Sequence, residues 1–256
     1  MTASLFASDR GTGSRTIVLL HGFGACHRVW DDIAADLAGT TRIIAYDLPG
    51  HGASLDVLDA GSPRKAAQAI AADIAARGLP PVHLVGHSMG GAVAMLTALA
   101  APGHVASLTL LAPGGIGPEI DAPLLRRYAL ADSAEELAAC LAAMSGPDAK
   151  PPAATIEALL AMRGATGQTG RLAEIAAAIT RDGRQGVIPA DLLASLAMPV
   201  QVLWGTDDPV LPATQADRLP AGFAVRRLPR AGHMLIEEAP RAVVEAIRSD
   251  LLQTVP

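Results

Sequence analysis

From residue 15 onward the chain alternates short aliphatic runs with longer stretches in which apolar positions recur every three or four residues. The short runs are RTIVLLHG (15–22), TRIIAYD (41–47), PVHLVG (81–86), VASLTLLAP (105–113), MPVQVLWG (198–205) and AVRRLP (224–229). They are rich in β-branched and aliphatic residues and are bounded by Gly or Pro, the pattern of buried strands. Between them, VWDDIAADLAG (29–39), SPRKAAQAIAADIAARG (62–78) and the stretch that closes at Pro102 and Gly103 predict helices, and a last helix is expected from about Pro240 to Leu252. Ser62 suits an N-cap, Pro63 the first helical position and Gly78 the C-terminal cap. Strands alternating with helices imply βαβ units and a mostly parallel sheet flanked by helices, an α/β fold.

The alternation pauses from about residue 115 to 197, where the pattern is helical throughout. SAEELAACLAAM opens on Ser133 and Glu136 at capping-box spacing, and TIEALLAMR and GRLAEIAAAITRDG carry apolar residues at helical intervals. The expected organisation is therefore a core of 1–114 and 198–256 with a helical cap, or lid, of 115–197 inserted after the fourth clear strand.

Composition narrows the class. Half of the 256 residues are apolar, enough for a large core, yet Phe, Trp and Tyr number only three, two and two. The net charge of −5 and the lack of a basic stripe argue against nucleic acid as a partner. Cys26 and Cys140 form no CxxC and read as reduced thiols. The N-terminus lacks a basic-then-apolar leader pattern, and no apolar run approaches the roughly 18 residues that span a bilayer. A cytoplasmic protein without membrane association is expected. Neither a full Gly-x-Gly-x-x-Gly frame nor metal-ligand spacing is present, so no cofactor and no metal are expected.

The candidate chemistry centres on Gly86-His87-Ser88-Met89-Gly90, a Gly-x-Ser-x-Gly frame between a strand and a helix with no room for a loop. Such a strained turn exposes a hydroxyl, which needs a base to become a nucleophile. Of seven histidines, His233 follows the last predicted strand and so shares the sheet edge with Ser88. His83 lies inside a strand and His104 at the opposite edge, while His51 and His21 read as structural. The imidazole needs a carboxylate to orient it. WGTDDPVLP offers Asp208, with Asp207 as its rival. Oxyanion donors are expected from the backbone N–H of Met89, at a helix start, and of Phe23, on the glycine-flanked HGFGAC turn. Trp30 and His87 are candidates for the substrate wall. Cys26 reads as inert, and Met144 and Met162 as core.

Taken in order, LLHGFGA, DLPGHGAS, LVGHSMGGAVA, VLWGTDDPVLP and AGHMLIEEAP resemble the α/β-hydrolase fold superfamily over essentially the whole chain from Thr16. The chain order Ser, Asp, His suits that fold. The resemblance implies a Gly-x-x-Asp-x-x-x-Pro spacing for the acid, which Gly205, Asp208 and Pro212 match, favouring Asp208. It also implies two strands ahead of RTIVLLHG, where this N-terminus has room for one or two short ones. A narrower resemblance links SLTLLAPGGIGPEID and the helices after it to the hydrolase-like domain of acetoin dehydrogenase E2-type acyltransferase subunits. About fifteen residues precede the first clear strand, so a hydrolase-like domain without a lipoyl domain is expected. The His-x-x-x-Asp-Gly motif of ordinary E2 acyltransferases is absent: HRVWDD carries Asp32 where glycine is needed.

The expected activity is that of a serine hydrolase, esterase- or thioesterase-like, acting on a small aliphatic or acyl substrate. The alternatives are an acyltransferase-like or binding subunit of an acetoin or 2-oxoacid dehydrogenase-type complex, and a C–C bond hydrolase. A serine at the nucleophile position argues against the haloalkane dehalogenase and epoxide hydrolase branches. A polyanionic substrate tail would call on Arg126, Arg127 or Arg163 of the lid. The oligomeric state is left open.

Overall fold

The computed structural model describes residues 4–39, 41–57 and 59–253. Residues 1–3 and 254–256, the ends of the expected core span, lie outside the described residues, as do Thr40 and Leu58. Seven strands form one sheet among the described residues: β1 (Ala7–Arg10), β2 (Arg15–Leu20), β3 (Thr41–Tyr46), β4 (Val82–His87), β5 (Val105–Leu111), β6 (Val200–Gly205) and β7 (Ala224–Leu228). Their order is β1-β3-β2-β4-β5-β6-β7, with β1 antiparallel to β3 and every other pair parallel. β2 and β4 are buried at nearly every position, as parallel strands covered on both faces must be. Helices α1 (Asp31–Leu37), α2 (Pro63–Ala76), α3 (Met89–Ala100) and α10 (Pro240–Gln253) surround the sheet, α2 packing on α3 and α1 on α10. This is an α/β-hydrolase fold.

Between β5 and β6 lie α4 (Ala122–Leu130), α5 (Ala134–Met144), α6 (Ala153–Arg163), α7 (Gln168–Ile179) and the short α8 (Ala190–Ala194). A last short helix, α9 (Leu235–Glu238), precedes α10. The inserted region is thus less uniformly helical than its pattern suggests. Gly146-Pro147 follows the end of α5, Pro151-Pro152 leads into α6, and residues 184–189 run irregularly after Gly183. The N-terminal segment supplies one extra strand, β1. The helix expected from residue 29 begins at Asp31, after a 3₁₀ turn over His27–Trp30.

Two caps follow the pattern and one departs from it. The Ser62 hydroxyl accepts from Lys65 N at 3.4 Å, and Gly78 takes φ +62 beyond the end of α2. Ser133 accepts from Glu136 N at 3.2 Å, but Glu136 answers the N–H of Asp132 rather than that of Ser133, one residue outside a true capping box.

The strand order explains where chemistry can occur. The chain runs from β2 to β3 on one side, then crosses back to lay β4 on the other side of β2. Such a reversal leaves a crevice beyond the carboxyl ends of the adjacent strands. The loop after β2 and the turn after β4 flank that crevice, with Leu20 opposite Gly86 in the register.

The turn after β4 is possible only because its neighbours lack side chains. A Cβ on Gly86 would lie 2.3 Å from the Gly90 carbonyl oxygen, and one on Gly90 would lie 2.3 Å from that of Leu20 and 2.5 Å from that of His21. Gly103, by contrast, has nothing within 4 Å of its Cβ position. Overpacking against backbone cannot be relieved by a rotamer change, so Gly90→Ala is expected to lower unfolding free energy by at least about 1–3 kcal/mol. Gly103→Ala serves as the control in urea denaturation. Equal midpoints for the two variants would refute this account of the turn.

Candidate active site

Ser88 is the N-cap of α3 and adopts φ 51°, ψ −116°, outside the regions open to most side chains. Strain of this kind costs about 1–3 kcal/mol and persists only where surroundings over-determine it. Here the Ser88 N–H donates to the Leu111 carbonyl at 2.9 Å, and its own carbonyl accepts from Gly91, Ala92 and Gly114 at 2.9, 3.2 and 2.9 Å. The backbone is pinned at both ends, and the side chain reaches the walls of two cavities.

His233 and Asp208 come from the loops after β7 and β6, which are neighbours in the sheet. His233 Nδ1 lies 2.8 Å from Asp208 Oδ2, both side chains being buried. The other oxygen of Asp208 accepts from the N–H of Val210 and of Leu211 at 2.9 and 2.8 Å, which fixes the orientation of the carboxylate. Held by that carboxylate, Nδ1 carries the proton and Nε2 is left as the basic atom. Asp207 is exposed and its carboxylate accepts from the Thr206 hydroxyl, so geometry separates the two rivals. Ser88 and His233 line the same small cavity without a hydrogen bond between them, a looseness that does not exclude a nucleophile–base pairing.

Phe23 and Met89 both border Ser88, and neither backbone N–H is donated to a protein acceptor among the described residues. The Phe23 loop is braced by two neutral imidazoles. His21 Nε2 accepts from Leu48 N at 3.0 Å and His51 Nε2 from Gly24 N at 3.1 Å, while the Nδ1 atoms face the carbonyls of Gly22 and Pro49. Burial holds the pKa of His21 below its usual value and pushes that of His51 down to about 3.

The inserted helices grip the same loop. The Tyr128 hydroxyl and Arg163 Nη1 both donate to the Gly24 carbonyl, at 3.1 and 3.0 Å, and the Arg163 guanidinium lies 4.7 Å over the Tyr128 ring. Gly24 has φ +73 and its Cβ position lies 2.4 Å from the Tyr128 ring, so this loop admits only glycine there. Arg163 is consequently buried as a brace, and neither it, Arg126 nor Arg127 lines a cavity beside Ser88.

Sequence reasoning also missed a contributor. Glu238 accepts from the N–H of Gly146 and Gly232 with one oxygen and from that of Met234 with the other, at 2.8, 2.8 and 2.9 Å. It thereby ties the His233 loop to the end of α5, where the His233 N–H also meets the Met144 carbonyl at 2.8 Å. The only signal in the sequence is an acidic pair just after the candidate base.

Two cavities meet at Ser88. The larger, of about 310 Å³, is apolar and walled by Phe23, Met89, Leu96, Ile120, Ile188 and Leu211, among others. The smaller, of about 20 Å³, also touches His87, His233 and Tyr128. His87 thus stands beside Ser88, its Nε2 donating to the His233 carbonyl at 2.8 Å, and burial pushes its pKa down to about 3. Trp30 does not belong to this site. The 3₁₀ turn directs it against Ile43 and Ala45, fully buried and with no protein acceptor for its indole N–H. Met144 lines the smaller cavity, whereas Met162 is core.

Cys26, His27 and Asp47 are the one group of potential metal ligands among the described residues. Asp47 already accepts from the His27 N–H, His27 Nδ1 and the Ala53 N–H at 2.7, 2.8 and 2.9 Å, and burial raises the Cys26 thiol to about 11. That donor set is spent on the fold.

Comparison with known proteins agrees with the geometry. A model of the Alpha/beta hydrolase family matches residues 17–246. The dihydrolipoyllysine-residue acetyltransferase component of the acetoin cleaving system of Pseudomonas putida is 35% identical over 234 residues, covering 91% of this chain and 62% of that protein. The chain therefore spans about three fifths of that relative's length. A pimeloyl-[acyl-carrier protein] methyl ester esterase of Methylococcus capsulatus is 30% identical, covering 90% of this chain and 91% of that protein. Among solved structures, a meta-cleavage product hydrolase of Pseudomonas fluorescens superposes with a TM-score of 0.86 at 18% identity, covering 98% and 95% of the two chains. No helix among the described residues is long and apolar enough to cross a membrane.

Four imidazoles, those of His21, His51, His83 and His87, are held below their usual pKa, chiefly by burial. Each stays neutral in the folded chain but takes a proton in the unfolded chain, so stability falls as pH drops below about 6.5. Among the described residues, Glu237 and Asp250, whose pKa values burial raises, act in the opposite sense over this acidic range. The urea midpoint is expected to be lower at pH 5 than at pH 7, and an unchanged or higher midpoint would contradict the burial of these rings.

Proposed function

We propose that this chain, which belongs to the alpha/beta hydrolase family, is a serine hydrolase that cleaves an ester or thioester of a small aliphatic acyl group. The observation that carries the reading is the convergence, at one sheet edge, of a strained Ser88 with the buried Asp208–His233 pair. In this reading Ser88 Oγ attacks the carbonyl carbon while His233 Nε2 takes its proton. Asp208 holds the imidazole in the tautomer that leaves Nε2 free and stabilises the cation that forms. The N–H groups of Phe23 and Met89 receive the developing oxyanion, the latter aided by the positive end of α3. His233 then returns its proton to the leaving oxygen or sulfur, and the acyl group remains on Ser88 until water releases it.

Cavity shape supports the substrate class. About 310 Å³ of mostly apolar space beside Ser88 is at the small end of ligand pockets and suits an acyl chain rather than a bulky polar group. Arg64 is the one cation lining it among the described residues. The esterase relative from Methylococcus supports ester cleavage. The similarity to the acetoin-system component supports a second reading, in which an acyl thioester is the donor and a thiol, not water, the acceptor. The helices α4 to α8, which reach the Phe23 loop through Tyr128 and Arg163, act as the cap in either case.

The test is hydrolysis of p-nitrophenyl esters from acetate to octanoate. The wild type is expected to turn over the series with an optimum set by the larger cavity, and Ser88→Ala to be inactive. Asp208→Asn, which supports the wrong tautomer, should lower turnover by about 10⁴-fold, as in other Ser-His-Asp triads. Asp207→Asn should remain within about twofold of wild type, its carboxylate being solvated. Equal activity of wild type and Ser88→Ala would overturn the reading.

A further inference from the structure

Glu237 has no part in the chemistry described so far, yet it borders the same small cavity as Ser88 and His233. Its stem is half-buried, but both carboxylate oxygens are sealed from solvent and, among the described residues, have no protein partner. Its own backbone N–H donates to the Met234 carbonyl at 3.0 Å. Its neighbour Glu238 is fully engaged with three backbone N–H groups, so the adjacent carboxylates hold different positions. A buried carboxyl without a partner destabilises a fold, and an apolar side chain at this point would not. The chain nonetheless carries it where the cavity touches both the nucleophile and its base.

The cavity, at about 20 Å³, has the volume of one water and excludes larger acceptors. We propose that Glu237, with Ser88 and His233, forms a subsite for a single water, and that its carboxyl positions this water to attack the acyl group on Ser88. The inference rests on the serine hydrolase reading and deepens it by assigning the acyl acceptor. In the step, the water oxygen bonds to the acyl carbon as His233 Nε2 takes one water proton. The bond between that carbon and Ser88 Oγ then breaks, His233 gives the proton to Oγ, and a carboxylic acid leaves. Glu237 keeps its own proton and serves through hydrogen bonds only, a positioning residue.

The electrostatics are consistent with that role. Burial pushes the Glu237 pKa up to about 8, a rise to which the neighbouring Glu238 adds. At neutral pH the group is thus a carboxylic acid, able to donate and to accept. The titratable and charged groups around it are Tyr128 from the inserted helices, with Arg163 stacked over its ring, His87 beside Ser88, and His233 and Glu238 on its own segment. Above pH 8 a charged Glu237 would oppose the oxyanion that forms at the same cavity.

The experiment is stopped-flow hydrolysis of p-nitrophenyl butyrate by the full chain, with intact-mass detection of acyl-Ser88, for wild type, Glu237→Leu and Glu237→Gln. Glu237→Leu is expected to acylate at nearly the wild-type rate but to deacylate about tenfold or more slowly, the value of one lost positioning hydrogen bond, so the acyl adduct accumulates. It should melt no lower than wild type, because an unpartnered carboxyl has been removed. Glu237→Gln, which keeps a neutral donor and acceptor, should recover most of the lost rate and lack the decline in deacylation that wild type shows above pH 8. Slowing of both steps alike, or deacylation unchanged in Glu237→Leu, overturns the subsite. Absence of a burst and of an adduct in wild type overturns the serine hydrolase reading itself, and the subsite falls with it.

Discussion

The positive φ of Ser88 is the constraint around which the rest of the molecule is arranged. A residue with a side chain is placed where glycine would ordinarily sit, and glycines are placed where side chains would ordinarily be tolerated. Gly86 and Gly90 clear the space, because carbonyl oxygens lie 2.3 Å from their Cβ positions. Three backbone N–H groups hold the Ser88 carbonyl, one of them from Gly114 at the end of the neighbouring strand. The strain is therefore carried by the sheet as a whole and not by the turn alone, and its result is a hydroxyl raised into the crevice at the strand-order reversal.

The same edge sorts carboxylates by environment. Asp208 is ordered by two backbone N–H groups and faces His233, while its neighbour Asp207 stays in solvent. Glu238 ties the His233 loop to α5, while its neighbour Glu237 is left in a sealed cavity. In each adjacent pair, one member is used by the backbone and the other is not. Consecutive side chains leave the chain in different directions, so identical chemistry meets different surroundings and different partners. The inserted helices contribute through Tyr128 and Arg163, both bonded to the Gly24 carbonyl, which ties those helices to the loop that bears the Phe23 N–H.

Much of this was legible one-dimensionally. The aliphatic runs marked six of the strands, and turn residues marked their ends, because burial on both faces demands continuous apolar segments. Ser88, Asp208 and His233 stand out because a strained turn and two loop positions need particular residues at particular offsets. The inserted region was harder to read. An alanine-rich pattern is compatible with helix almost everywhere, so the breaks at Gly146-Pro147 and over 184–189 were obscured. Trp30, expected at the substrate wall, lies elsewhere because proximity in sequence to the Phe23 loop says nothing of direction, which the 3₁₀ turn decides.

The sequence by itself determined the alternating architecture, the Gly-x-Ser-x-Gly turn at Ser88 and the order of the three candidate catalytic residues, since these depend on local periodicity and on residue types with few substitutes. Only the tertiary structure decided between Asp207 and Asp208 by direct contact, turned Arg163 from a candidate anion ligand into a brace, and set Glu237 and Glu238 apart. Those outcomes depend on which distant segments meet: the end of α5 against the His233 loop, α6 against the loop after β2. Burial and hydrogen-bond partners are properties of such meetings, and no local pattern encodes them.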